Sequence, residues 1–212
     1  MAENSLSLPV ITTLQKQDGC VTASARAVIP FLGVNFDKDF LPKLRRYSLD
    51  YSNPENNHML GLAVLAAEMG LSVYVHALNI RTNPSLPTDA SEIAKRLHPQ
   101  LIRKLCALED KGKLVLSDEL LTEDSLYALV KTGLAHGKYA LPLLEWKKWN
   151  AESQSKFLNP RHVVVVHGLD GLYVLAHDPA LNTSQNPVRE SIRFLYNSLA
   201  SQQYIVLIGK GP

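Results

Sequence analysis

The feature that most constrains the fold is a hairpin in the last third of the chain. Two apolar runs, residues 163–168 and 172–176, flank Asp170 and Gly171. An Asp-Gly pair between apolar runs favours a tight turn between antiparallel strands. Any fold for this chain must therefore hold these two strands side by side, with residues that precede the first strand close to residues that follow the second.

Helical patterns occupy most of the sequence before this hairpin. Apolar periodicity predicts helices over residues 18–33, 55–69, 90–110 and 123–134, with strands over 71–78 and 113–116. Gly33 and Gly70 are placed to end two of the helices, and Thr122 to begin a third. Strands are predicted over 139–145 and 204–208, and a short helix over 191–201. Helices first and strands later predict one α+β domain over residues 1–212, in which an N-terminal helical part packs on a C-terminal antiparallel sheet.

Composition narrows the classes of function. The chain has 212 residues, of which 46% are hydrophobic, and 22 basic residues nearly balance 20 acidic ones. This charge balance provides no basic patch for nucleic acid. No apolar stretch approaches the ~20 residues that cross a bilayer, and the N-terminus does not resemble a signal peptide. We therefore expect no nucleic-acid partner, no membrane span, and a cytoplasmic protein or an effector exported without a classical signal peptide.

Metal and cofactor signatures do not occur in the sequence. Its two cysteines are too few for a disulfide scaffold, and there is no Cys-x-x-Cys, His-x-x-x-His or His-Glu-x-x-His motif. Gly168 and Gly171 belong to the predicted hairpin and not to a phosphate-binding loop. We therefore expect neither a metal nor a cofactor.

Cys20 has the position of a nucleophile. It lies where a polar loop gives way to the first predicted helix, and a helix start and a nearby imidazolium both stabilise a thiolate. The competing interpretation is a small buried hydrophobic residue, which is the usual role of a free cysteine. That second interpretation is strongly favoured for Cys106, which lies mid-helix among leucines.

His162 and Asp178 are predicted to complete the site. His162 opens the first strand of the hairpin, and Asp178 follows the second. Each lies eight positions from Asp170, so the hairpin should set them opposite one another, ~5 Å apart. At that distance a carboxylate can fix the tautomer of an imidazole. His167 and His177 are the rival histidines, but His177 should point to the opposite face of the sheet.

Acyl transfer also needs a donor for the developing oxyanion. Gln15 and Gln17 both lie just before Cys20, and a side-chain amide together with the backbone N–H of the nucleophile can stabilise that charge. The residues alone leave both glutamines open.

The order of these segments resembles a known family. A Gln, a Cys at a helix start, His-Val-Val-Val-Val-x-Gly-x-Asp-Gly, and then a strand that ends in Asp-Pro-Ala are similar to the papain-like cysteine peptidases of family thirty-nine. These enzymes remove double-glycine leaders from bacteriocins, and they have stand-alone relatives. The resemblance covers most of the chain and is most specific from His162 to Asp178.

The resemblance implies a papain-like fold and a role for each site residue. Cys20 would be the nucleophile, His162 the general base, Asp178 its orienting carboxylate and Gln15 the oxyanion donor. The chain departs from the family where Val21, and not glycine, follows the cysteine. Gln15 also lies five and not six positions before it. Residues 83–112 look longer than the family needs and are interpreted as a helical insert or a lid.

Three functions fit this pattern. The first is a peptidase that cleaves a peptide or isopeptide bond of a protein or peptide substrate through an acyl-enzyme. The second is a deamidase or acyltransferase with the same Cys-His-Asp triad, because an acyl-thioester can be resolved by water or by an amine. The third is a catalytically silent binding module, against which the completeness of the triad argues.

Overall fold

A computed structural model describes residue 6 and residues 19–47, 59–81, 92–149, 161–181 and 185–211, without the side chains of 92–97. These residues form an α+β structure, and none of their helices is long and apolar enough to cross a membrane. The helices are α1 (Gly19–Val28), α2 (Leu41–Leu44), α3 (Met59–Glu68), α4 (Glu92–Glu109), α5 (Glu123–Ala135), α6 (Trp146–Trp149) and α7 (Ile192–Ser198). The strands are β1 (Ser72–His76), β2 (Leu114–Ser117), β3 (Tyr139–Glu145), β4 (Arg161–Val163), β5 (Val165–Asp170), β6 (Tyr173–His177), β7 (Val188–Ser191) and β8 (Ile205–Gly209).

One mostly antiparallel sheet organises the described part of the chain. Its strand order is β2-β1-β8-β3-β5-β6-β7, and β4 pairs with β3 beside this path. The pair β1–β2 is parallel. The sheet is therefore wider than the expected C-terminal one, because β1 and β2, from the first part of the chain, extend it at one edge.

Helix α4 explains the parallel pair. Neighbouring parallel strands need a crossover connection, usually a helix, and α4 lies between β1 and β2 in the chain. Its Leu101 and Leu105 are buried in the same core as α3. The described part of the expected insert at 83–112 is thus a crossover helix built into the core. Residues 82–91 lie outside the described residues.

The two faces of the sheet bury different helices. On one face, side chains such as Val73, Leu141 and Val206 pack with those of α1, α3 and α4. On the other face, Leu144, Val164 and Leu207 pack with α5 and α7. Alternation along each strand separates the two sets, as expected for a sheet buried on both faces. The site described below lies where α1 meets the β4 end of this sheet.

Several helix ends agree with the sequence prediction. Gly33 and Gly70 both adopt left-handed backbone angles, with φ of 85° and 81°, which glycine reaches without a Cβ clash. Thr122 caps α5 by accepting a hydrogen bond from the Ser125 backbone N–H. Residues 36–47, which lie between two predicted helices and were not themselves assigned an element, form consecutive short helical turns. Phe36, Phe40 and Leu44 bury their side chains there.

The exposed edge of the sheet at β2 is occupied by side chains. The Leu116 N–H donates to Glu109 Oε1 at 2.9 Å, and Arg81 Nη2 donates to the Leu116 carbonyl at 3.2 Å. Arg81 also pairs with Glu109 at 2.8 Å and with Asp118 at 3.1 Å. The backbone groups of Leu116 that point away from β1 therefore already have partners.

Candidate active site

Cys20 is held at the start of α1 and against the sheet. Gly19, the first residue of the helix, has a φ of 73°, so a glycine suits the sharp entry into the helix. Cys20 follows it and is 5% exposed. One turn later, the buried Ser24 hydroxyl donates to the Val163 carbonyl at 3.2 Å. This bond fixes the helix that bears the thiol to the strand that bears His162.

His162 is hydrogen-bonded to Asp178 through one of its two ring nitrogens. Its Nε2 is 2.7 Å from Asp178 Oδ1, and both side chains are almost completely buried. Within the part of the chain that the structure describes, its Nδ1 has no hydrogen-bond partner in bonding geometry. Cys20 acts on the same imidazole and raises its pKa. The ring thus uses Nε2 for the carboxylate, and the carboxylate leaves Nδ1 available.

Asp178 has partners on both oxygens. Oδ1 accepts from the Ala180 N–H at 2.8 Å as well as from His162, and Oδ2 accepts from Trp149 Nε1 at 2.8 Å. Its backbone is fixed by Asn186, whose Oδ1 accepts from the Asp178 N–H at 2.8 Å and whose Nδ2 donates to the Asp178 carbonyl at 3.0 Å. A buried carboxylate with this many donors keeps its charge and its orientation.

The electrostatics of the pair favour an imidazolium beside a carboxylate. Burial by itself lowers the pKa of His162, but the hydrogen bonds and charges of Asp178 and Cys20 outweigh it and raise the pKa to about 9. Burial raises the pKa of Asp178, but the hydrogen bond and charge of His162, with the donors Ala180 and Trp149, bring it below its ordinary value. His162 can therefore hold a proton at neutral pH.

The hydrogen bond between His162 and Asp178 was expected, but the predicted register was wrong. The strands β5 and β6 pair Asp170 with Tyr173 and Val165 with His177, with a shift at His167. Continuing this register places Asp178 level with Val164 and not with His162. The strand also breaks at Val164, so His162 belongs to β4, where its partner is Leu144 of β3. The two side chains meet diagonally, on one face of the sheet.

Two tryptophans beside the site were missed in the sequence. Trp146 meets the His162 ring edge-on, with centroids 4.5 Å apart at 80°, and Trp149 donates to Asp178. Both belong to α6, directly after β3, the strand that pairs with β4. They are the chain's two tryptophans, and their spacing of three puts them on one side of a helical turn. The presence of both tryptophans within four residues was the one sign in the sequence that this segment belongs to the site.

The rival histidines take other places. His177 pairs with Val165, whose side chain belongs to the core under α1, on the opposite face from Val164. His167 lies at the register shift, where its carbonyl accepts from the Leu6 N–H at 2.7 Å. Burial lowers the pKa of both imidazoles. Among the described residues, no cluster of three His, Cys, Asp or Glu side chains could hold a metal ion.

The remaining candidates stand as follows. Gln15 and Gln17 lie outside the described residues, so the structure gives no geometry for the oxyanion side chain. The first N–H groups of α1, including that of Cys20, lack partners within the helix, as at every helix start. Cys106 lies in α4 and is half-buried. The elements that bear Cys20 and His162 are α1 and β4, so Cys106 belongs to a different part of the chain.

Comparisons with known proteins identified no relative of this chain. No family model, curated protein or solved structure matches this chain. The arrangement of Cys20, His162 and Asp178 is therefore the basis for a functional proposal.

Proposed function

We propose that this protein is a cysteine peptidase with a papain-like fold, which cleaves a peptide or isopeptide bond through an acyl-enzyme on Cys20. The observation that supports it is the buried His162 imidazole, which is bonded to Asp178 at 2.7 Å through Nε2 and whose pKa both Asp178 and Cys20 raise. A thiol, a base and a carboxylate that orients the base are the parts that activate a cysteine nucleophile. The resemblance to family thirty-nine peptidases supports the same assignment.

The first step is the transfer of the thiol proton. His162 Nδ1 accepts the proton from Cys20 Sγ, and the result is a thiolate beside an imidazolium. Asp178 stabilises that cation through Nε2, and the pKa of about 9 keeps His162 protonated at neutral pH. The position of Cys20 in the first turn of α1 adds the partial positive charge of the helix start.

The thiolate then attacks the carbonyl carbon of the scissile bond. The carbonyl oxygen becomes an oxyanion, which the Cys20 backbone N–H and the Gln15 amide would stabilise. Collapse of this intermediate breaks the C–N bond, and the leaving amine takes the proton from His162. Water then attacks the thioester and gives a proton to Nδ1. Collapse of this second intermediate breaks the C–S bond, so the acid product leaves and the thiolate of Cys20 is restored beside the His162 imidazolium.

Selective alkylation tests the nucleophile. Iodoacetamide at neutral pH should label Cys20 much faster than Cys106, as measured by peptide mass spectrometry over time, because the imidazolium stabilises the Cys20 thiolate. In His162→Ala, labelling of Cys20 should fall towards the rate of Cys106. Equal rates at the two cysteines of the unmodified protein would contradict the proposal.

A peptide library distinguishes the possible reactions. The protein and its Cys20→Ala variant are incubated with a proteome-derived peptide library and a labelled primary amine, and the products are analysed by mass spectrometry. New peptide termini that need Cys20 support a peptidase. Conversion of Gln to Glu indicates a deamidase, and incorporation of the amine indicates an acyltransferase. Unchanged peptides, with Cys20 unreactive, would favour a binding module.

A further inference from the structure

Trp149 has a contact that packing alone does not require. Its indole N–H points at Asp178 Oδ2 at 2.8 Å, between two side chains that are both more than nine-tenths buried. Tryptophan has a single polar atom, a donor. Here that N–H donates to Oδ2 of Asp178, the oxygen to which His162 is not bonded.

The two oxygens of Asp178 thereby become different. Oδ1 accepts from His162 Nε2 and from the Ala180 N–H, and Oδ2 accepts from Trp149. Rotation of the carboxyl group would break three hydrogen bonds at once. A buried carboxylate with too few donors is costly and tends to take up a proton. The indole N–H opposes both events.

Trp146 contacts a different member of the triad from Trp149. Its ring meets the His162 ring edge-on at 4.5 Å, so it limits the space around the imidazole. Trp149 acts on the carboxylate and reaches His162 only through it. The short helix α6 thus brings one aromatic ring to the base and one N–H to the acid.

We infer that Trp149 is a positioning residue, whose N–H keeps the Asp178 carboxylate ionised and turned so that Oδ1 faces His162. This inference rests on the proposed function, since it assigns Trp149 to the same triad. It extends that proposal from three residues to a fourth, which acts on the triad through the Asp178 carboxylate.

Trp149→Phe tests the inference, because it keeps a buried ring and removes the N–H. Two profiles are measured against pH: the carboxyl carbon-13 resonance of Asp178, assigned with Asp178→Asn, and the rate of Cys20 alkylation by iodoacetamide. Loss of a hydrogen bond to a charged group should move the Asp178 titration up by about one to two pH units. The acid limb of the alkylation profile should move in the same direction.

Phe194→Leu is the matched control. The Phe194 ring packs on Trp149, with centroids 5.6 Å apart, so this variant loosens the packing of the indole without removing its donor. It should leave both profiles unchanged. A second variant carries benzothienylalanine at position 149, where sulfur replaces the N–H in a ring of nearly the same shape, and it should reproduce the Trp149→Phe shift.

The outcomes separate the two proposals. Unshifted profiles in folded Trp149→Phe and benzothienylalanine proteins would overturn the role of Trp149. Failure of both to fold, while Phe194→Leu folds, would also overturn it, because Trp149 would then be a core residue. If Cys20 of the unmodified protein reacts no faster than Cys106, the peptidase proposal fails. The Asp178 resonance still measures the effect of Trp149 in that case.

Discussion

Asp178→Asn should leave the His162 ring mostly neutral at neutral pH, where the unmodified protein holds it as an imidazolium. The pKa of His162 is about 9, against an ordinary value of 6.5, although burial lowers it. Without the carboxylate charge, burial is opposed only by Cys20, so the pKa should fall from about 9 towards the ordinary value. A fall of this size corresponds to about 3 kcal/mol in favour of the neutral ring. At neutral pH the thiolate of Cys20 would then lose its cationic partner.

The alkylation rate of Cys20 against pH measures this effect. In Asp178→Asn the rate at neutral pH should fall by about a hundredfold, and the NMR titration of the His162 ring should move to lower pH. The variant should also lose about 1–3 kcal/mol of unfolding free energy in urea. The reason for this loss is that an asparagine whose oxygen still accepts from His162 must turn its NH2 towards the Trp149 N–H, so two donors face each other.

Asp170→Asn provides the control on the same hairpin. Asp170 is half exposed and pairs with Arg189 at 2.9 Å, a surface contact of little energetic weight. Its loss should change neither the alkylation profile nor the His162 titration. The reasoning would be refuted if Asp178→Asn kept the profile of the unmodified protein, since the charge of Asp178 would then not control the imidazole.

Three further predictions concern other parts of the molecule. Gln15→Ala should cut turnover by about a hundredfold with little change in substrate binding, and Gln17→Ala far less, when both are assayed on a peptide identified from the library. Burial lowers the pKa of His76 to about 4, so its neutral form adds stability that is lost as the pH falls from 6.5 to 4. His76→Asn should therefore reduce the slope of the unfolding free energy against pH in that window, and the remaining slope includes His98, His167 and His177, whose pKa burial also lowers. Gly61→Ala should destabilise by about 1–3 kcal/mol in urea, because its Cβ would lie 2.4 Å from Tyr47 Cβ. An unchanged urea midpoint would show that residue 47 moves away freely.

The contact between His162 and Asp178 was predicted correctly, but the strand register from which it was predicted was wrong. Counting eight positions from Asp170 to His162 and to Asp178 assumed a regular hairpin centred on Asp170. The turn residues are instead Gly171 and Leu172, since Asp170 pairs with Tyr173, and the register shift at His167 adds an unpaired residue. Both side chains still meet because they share one face of the sheet and can reach each other diagonally. Bulges of this kind leave no reliable signal in a single sequence.

Other parts of the site depend on tertiary placement. The partners of Trp149 and Asn186 were not predictable, because each contact is set by a short connection packed against a strand far away in the chain. The first long helices and their glycine ends were predicted well, since their periodicity and caps are local. The parallel pairing of β1 and β2 was missed, because it depends on how α4 crosses the sheet.

The occupied edge of β2 bears on how this protein behaves when it is concentrated. An edge strand with free N–H and C=O groups is a template for a strand of another molecule. At Leu116 both groups are already bound, by Glu109 and Arg81. An incoming strand would have to displace both of these side chains before it could form ladder bonds to Leu116. The contacts that join α4 to β2 thus also oppose strand addition at Leu116, and salt, which screens the Arg81–Glu109 ion pair, should weaken that protection.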